Sequence, residues 1–166
     1  MNTILNAVTE YLNSSGVRLH EAAGAPVLET IITLENAHYI CRAIALEEDR
    51  RLIFQTLCPI KVRGNVTPLV AEFITRANAG LAIGNFEFDF EAGEILYKTS
   101  IDVTGGELTA GLIDRLLKVS IATMDGFMPK LMSVAYGGVS PIRAMADEGG
   151  LFGATSNSDG ERSKWN

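Results

Sequence analysis

The sequence is poor in the side chains that most often carry chemistry. Its 166 residues include two histidines, two cysteines and one tryptophan. Cys41 and Cys58 stand 17 residues apart, outside any Cys-x-x-Cys pair and each within an apolar run. A thiol in that setting packs as a small hydrophobe, so no disulfide framework is implied and a cytoplasmic location is expected. His20 and His38 do not sit at ligand-like spacing from a cysteine, so no metal site is read. GxSxG, GxGxxG and GKS patterns are absent. Gly80-Leu81-Ala82-Ile83-Gly84 has spaced glycines but not the phosphate-cradling arrangement, and no cofactor is expected.

Positive charge is also scarce. Lysine and arginine number 14 against 20 acids, a net charge of -6, and Arg50-Arg51 is the only adjacent basic pair. A nucleic-acid partner needs phosphates neutralised by clustered Lys and Arg, so this class is set aside. No apolar run approaches the roughly 18 residues of a membrane span. The opening MNTILNAVTEYLNSSG lacks a basic n-region and a long apolar core, so it is not read as a secretory signal.

What is present is strong local patterning. In Ile83 to Val103, Phe86, Phe88 and Phe90 alternate with Asn85, Glu87, Asp89 and Glu91. A second alternating run, Ile95, Tyr97, Thr99, Ile101 and Val103, follows Gly93. Period two on both sides of a turn predicts a half-buried antiparallel hairpin. A turn centred on Ala92-Gly93 would pair Phe90 with Ile95, Phe88 with Tyr97 and Phe86 with Thr99, with Glu87 opposite Lys98. The acid row Glu87, Asp89, Glu91 with Glu94 could be a cation or acid/base site. Alternation alone generates such a row, and the favoured reading is a solvated face with Lys98 as partner.

The rest of the chain falls into clear elements. Ile4, Leu5, Val8 and Leu12 predict an amphipathic helix over Thr3 to Ser14. A short strand over Val17 to Glu21 is an optional addition. Val27 to Leu34, Tyr39 to Leu46 and Leu52 to Val62 are rich in Val, Ile, Leu and Thr and joined by short polar turns, which predicts an antiparallel meander. These runs are apolar on both sides at Ile31-Ile32 and Leu52-Ile53-Phe54, as in strands covered on both faces, a first hint of oligomerisation. Thr67-Pro68 opens a second helix, with Thr67 expected as its N-cap.

A third helix begins after Thr109. Its second half carries Met124, Phe127, Met128, Leu131 and Met132. Pro129 has no N–H for the Asp125 carbonyl, so a kink or a restart is expected. Methionine fills irregular core gaps, and that is the favoured reading. Methionine-rich surfaces also accept varied peptides, which makes these five residues the first candidates for a partner-binding or dimer surface. The expected order is α-β-β-β-α-β-β-α, an α+β fold with an antiparallel sheet packed against helices. Residues 1–138 are expected to form one domain. Residues 139–166, sparse in apolar side chains, are expected to form a low-complexity, flexible tail, with local docking of Pro141 to Met145 and of Leu151-Phe152 open.

The second half of the chain resembles the YbjN family of small bacterial proteins. The resemblance is carried by Gly84-Asn85-Phe86-Glu87-Phe88-Asp89, Gly93-Glu94-Ile95 and Thr99-Ser100-Ile101-Asp102. Thr123-Met124-Asp125, Met128-Pro129 and Tyr136-Gly137 also match. It implies a type III secretion chaperone-like fold, a homodimer and binding of extended polypeptide segments on hydrophobic patches. YbjN-like proteins are associated with regulation. No catalytic residue belongs to the pattern, so none is carried over. The expectation is therefore a non-enzymatic protein-binding module, chaperone-like or regulatory, with an unidentified protein partner. One alternative is a small-molecule-binding signalling regulator with a pocket between sheet and helices. Another is an enzyme whose Glu87, Asp102 or His20 converge.

Overall fold

The structure is a computed structural model that describes residues 3–17, 20–21 and 27–146. The elements run α1 (Ile4–Ser14), β1 (His20–Glu21), β2 (Val27–Thr33), β3 (His38–Leu46), β4 (Arg51–Lys61), α2 (Thr67–Ala79), β5 (Asn85–Asp89), β6 (Glu94–Asp102), α3 (Ala110–Ala135) and α4 (Pro141–Ala146). All six strands pair antiparallel in one sheet ordered β1-β2-β3-β4-β6-β5. The fold class is the α+β arrangement expected, with a two-residue edge strand and one short helix added.

Helices α1, α2 and α3 dock on the same face of the sheet, each through the stripe that its sequence period dictates. α1 buries Ile4, Val8 and Leu12. Thr3 caps it, its hydroxyl accepting from Asn6 N at 3.2 Å. The Glu47 carboxylate, from the β3–β4 turn, accepts from Ile4 N and Leu5 N at 3.0 and 2.9 Å. A carboxylate at a helix N-terminus satisfies orphan donors and opposes the dipole, so this contact joins α1 to the meander. The Tyr11 hydroxyl donates to Asp114 Oδ1 at 2.5 Å and ties α1 to α3.

Two apolar clusters form the core. One gathers Tyr39, Phe73, Phe86, Tyr97, Met124 and Phe127; the other gathers Ile4, Val8, Leu52, Phe54, Ile113 and Leu117. Along α3 the small polar residues lie against the sheet. Thr56 and Ser120 hydroxyls are 2.7 Å apart, and Thr99 Oγ1 donates to the Leu116 carbonyl at 3.0 Å. Each of these buried polar groups has its partner, so none carries the cost of an unmade hydrogen bond.

Several local expectations are corrected. The Phe hairpin keeps its faces but is offset by two residues: Phe86 pairs with Tyr97 and Phe88 with Ile95, and Glu87 lies opposite Leu96. The turn is longer than two residues because Asp89 closes it. Asp89 Oδ1 accepts from Glu91 N and Ala92 N at 2.9 and 2.8 Å, and Gly93 N donates to the Asp89 carbonyl at 2.8 Å. Phe90 is therefore in the turn, 61% exposed. Gly93 has φ 71, and an added Cβ would lie 2.5 Å from the Val62 carbonyl oxygen, so only glycine fits. Thr67 lies inside α2 rather than capping it, because a 3-10 turn at Gly64–Val66 leads into the helix. Helix α3 does not restart at Pro129 but runs unbroken for 26 residues. Pro141–Ala146, placed in the tail by the sequence reading, is helix α4, which buries Pro141 and Ala144 against α2 and α3. The rest of that expected tail, from residue 147 on, lies outside the described residues.

Candidate functional site

The residues first suspected of chemistry are dispersed. Glu87 is ion-paired with Lys98, and Glu94 with Lys61 at 2.7 Å. Asp89 is engaged in its turn, and Glu91 is exposed. Asp102 pairs with Arg51 at 3.1 Å, six residues along β6 from the position opposite Glu87. Hydrogen bonds from Thr104, side chain then backbone, and the Arg51 guanidinium lower the Asp102 carboxyl to about 2. His38 shares a hydrogen bond with Thr33 Oγ1 at 2.8 Å. The side chain of His20 lies outside the described residues. Glu87 and Asp102 therefore do not converge. Cys41 is buried and Cys58 half-buried, and desolvation raises both thiols to about 11, so they stay protonated. Among the described residues no cluster of His, Cys, Asp and Glu could hold a metal ion.

The methionine stripe is core. Met124, Phe127, Met128 and Leu131 are buried in the first cluster, where Phe127 meets Phe73 and Phe86 edge to face at 6.2 and 5.4 Å. Only Met132, 38% exposed, reaches the surface. Four of the five residues first considered for a partner surface are thus buried within the subunit. They line the helix face turned toward the sheet, and a partner could reach them only by opening the fold.

The unexplained surface lies on the opposite side of the sheet. Helices cover the face bearing Tyr39, Phe54, Tyr97 and Phe86; no described element covers the other. On that open face Ile31 pairs with Ile40, Ile40 with Leu57, and Leu57 with Leu96, an unbroken aliphatic row over four strands. Four residues along the strands a second row joins Val27, Ile44 and Ile53 and ends at Ser100. Between them runs a polar row, Glu29, Arg42, Gln55 and Lys98. Arg42 holds Glu29 at 2.5 Å. Ile31 is 67% exposed. An antiparallel sheet with one wet face ordinarily carries polar side chains there, so two aliphatic rows mark a surface built to be covered.

The face is also shaped. The β4–β6 register shifts between Leu57 and Lys61. A concavity of about 460 Å³ lies there, lined by Ile40, Leu57 and Leu96 together with the polar His38, Arg42, Lys61 and Glu94. Sequence reasoning had touched this surface through the double-sided apolar runs at Ile31-Ile32 and Leu52-Ile53-Phe54. It had no means of adding Leu96, which joins the row only because β6 pairs with β4.

Comparison with known proteins agrees with the architecture. The chain superimposes on the crystal structure of YbjN from E. coli, described as a "putative transcription regulator", with a TM-score of 0.59 and 14% identity over 82% of this chain and 96% of that one. The HopA1-SchA chaperone-effector complex contains a chain matched at TM-score 0.52 and 12% identity, over 74% of this chain and 91% of that chain. The ExsC-ExsE complex contains another, at TM-score 0.53 and 14% identity, over 77% and 92%. The fold is thus type III secretion chaperone-like. No curated protein sequence is significantly similar to this chain. Residues 5–132 match the sequence family described as "Putative bacterial sensory transduction regulator", and the chain is accordingly a member of the YbjN family.

Proposed function

We propose that this protein is a non-enzymatic binding module, chaperone-like or regulatory, that acts in the cytoplasm as a homodimer and takes a polypeptide partner on its open sheet face. The observation that carries the reading is the aliphatic row Ile31, Ile40, Leu57 and Leu96, which no described element covers, beside the concavity at the β4–β6 register shift. An extended segment would set alternate apolar side chains along such a row, with polar rim groups fixing its register. Fold neighbours that occur in complexes, one named as chaperone and effector, support the same class of role.

The test is a photo-crosslinking residue placed at Leu57 in the living cell, with the same residue at Leu112 on exposed α3 as control. One polypeptide recurring at Leu57 and absent at Leu112 is expected. Its purified form should lose at least tenfold in affinity for Ile40→Glu, with the melting temperature unchanged. Equal crosslinking at both positions, or an unaffected affinity, overturns the reading.

A second reading, a small-molecule-binding signalling regulator, is favoured by one cavity. About 400 Å³ lies between residues 81–83 and α3, lined by Leu81, Ile83, Tyr97, Val119 and Ala122, with Lys118 at its edge. A ligand there would raise the unfolding midpoint in a thermal-shift screen of apolar carboxylates, and Ala122→Trp would abolish the rise.

A further inference from the structure

The four helices are not held alike. α1 is tied to its neighbours by the Glu47 carboxylate and by the Tyr11–Asp114 hydrogen bond. The Asn78 side-chain amide fastens α2 to β5, accepting from Phe86 N at 2.7 Å and donating to the Phe86 carbonyl at 3.0 Å. α3 is fastened to the sheet through Ser120 and Thr56 and through the Leu116 carbonyl and Thr99. From α4, among the described residues, no hydrogen bond or ion pair reaches another element. Its bonds are local: the Ser140 hydroxyl accepts from Arg143 N at 3.3 Å, and the Ser140 carbonyl accepts from Ala144 N at 2.9 Å.

We infer that α4 is an exchangeable occupant of a helix-binding seam between α2 and α3. The seam is a site for a partner's short amphipathic helix, and the chain closes it with its own segment. It is separate from the open sheet face and from the cavity beside residues 81–83, and rests on neither.

α4 shows what the seam takes. Pro141 and Ala144 turn inward, Met145 is half-buried beside them, and Ile142 is 60% exposed. Residues 141, 144 and 145 stand at i, i+3 and i+4, the spacing by which an amphipathic helix enters a groove. Ala144 and Met145 pack into the cluster that holds Val70, Phe73 and Ile74 of α2 with Leu131 of α3. A replacing helix needs small or flexible apolar side chains at the same three positions. A charge there is excluded, because an apolar seam leaves it unpaired.

The resident segment is weakly held. A helix of six residues does not persist alone, since nucleation fixes several residues for a single hydrogen bond. Its two buried side chains are small, and apolar contact is all that joins it to the body, which places it at the low end of local stability. The seam itself does not depend on α4 for its shape: Phe73 and Phe127 join α2 to α3 directly, ring centroids 6.2 Å apart. α4 also lies beyond residue 132, where the family match ends. A partner helix binds only the open state, so its apparent affinity is scaled down by the fraction of time that α4 is closed.

The test uses the full-length chain, NMR and a synthetic peptide with the sequence of residues 138–146. In native-state hydrogen exchange of the wild type, the Ala144 amide should exchange about 100-fold faster than that of Leu131. Equal rates overturn the inference, because α4 then opens only with the whole fold. Ala144→Asp should unlatch α4 and leave the α2, α3 and sheet signals native. Added to this variant, the peptide should shift the Phe73, Ile74 and Leu131 amide signals, with an affinity about tenfold above that for the wild type, whose own α4 competes. A peptide carrying the same Ala144→Asp change should leave them unmoved. Ile142→Glu, on the exposed side, should behave as the wild type does. Equal affinities of variant and wild type, or equal shifts by the two peptides, overturn the inference. An Ala144→Asp chain that loses its whole fold does so too, by showing α4 to be part of the core.

Discussion

Asn36 Nδ2 donates to the backbone carbonyl of Asp125 at 3.0 Å, and that carbonyl is the one Pro129 leaves without a helical donor. The Asp125 carboxylate completes the clamp. It accepts from Asn36 N at 3.1 Å and from the Tyr39 hydroxyl at 2.7 Å. A proline that should interrupt α3 is thereby accommodated by the β2–β3 turn. Asp125 and Pro129 both belong to the segments that carry the family resemblance, and their physical role is to hold the meander on the helix.

A double-mutant cycle measures that coupling. Asn36→Ala should cost about 1–2 kcal/mol in urea unfolding of the wild type, since it removes donors from a carboxylate and an orphan carbonyl. In a Pro129→Ala background, where residue 129 regains its N–H, the same change should cost at least about 0.5 kcal/mol less. Equal costs would sink the explanation.

The hairpin register predicts a sharp contrast within the Phe row. Phe86 packs edge to face with Tyr97 at 4.8 Å and with Phe127 at 5.4 Å. Phe86→Ala should destabilise by about 3–5 kcal/mol, whereas Phe90→Ala, in the turn, should stay within about 1 kcal/mol. A Phe90 effect as large as that of Phe86 would favour the shorter turn.

Gly93 and Gly105 share a positive φ, 71 and 75, but not their surroundings. A Cβ at Gly93 meets the Val62 carbonyl at 2.5 Å, and one at Gly105 meets nothing within 4 Å. Gly105→Ala should cost only the left-handed strain, about 1 kcal/mol, and Gly93→Ala distinctly more. Matching unfolding midpoints for the two variants would contradict the close approach at Gly93.

Asp102 gives a pH signature. Its carboxyl is lowered from 3.8 to about 2 in the folded chain. Its contribution is therefore fully present above pH 4 and is lost as the pH falls from about 4 to about 2. Carbon-detected NMR should place its titration midpoint near 2. Asp102→Asn should flatten the fall of melting temperature across that window, and an Asp102 midpoint near 4 would remove the Thr104 and Arg51 contacts from the account.

Both thiols should be inert in the native state. With Cys41 and Cys58 raised to about 11 by burial, Ellman's reagent at pH 8 should label neither on a timescale of minutes. Denaturant should expose both at once. Rapid native labelling of either would show that desolvation does not hold that thiol protonated.

Much was legible in the sequence because it is encoded locally. Period two identified β2 to β6, period 3.6 identified α1 to α3, and Thr3 and Thr109 cap their helices as their positions imply, each hydroxyl accepting a backbone N–H. Alternation says which residues share a face, and a slip of two residues preserves both faces. The hairpin offset was therefore not determined until Asp89 closed a longer turn. Nor does periodicity say what a face meets. Met124, Phe127 and Ile31 all stand on apolar rows, and only the placement of all four helices on one side of the sheet makes the first two core and the third surface.

The candidate site belongs in part to that second level. Ile31, Ile40 and Leu57 are neighbours through the β2–β3–β4 meander, and Leu96 joins them only because β6 pairs with β4. By itself the sequence determined the elements, their inward faces and the family. Tertiary structure decided the strand order, the fate of the methionine stripe and the uncovered rows, because those depend on contacts between residues far apart in the chain, where local pattern carries no information.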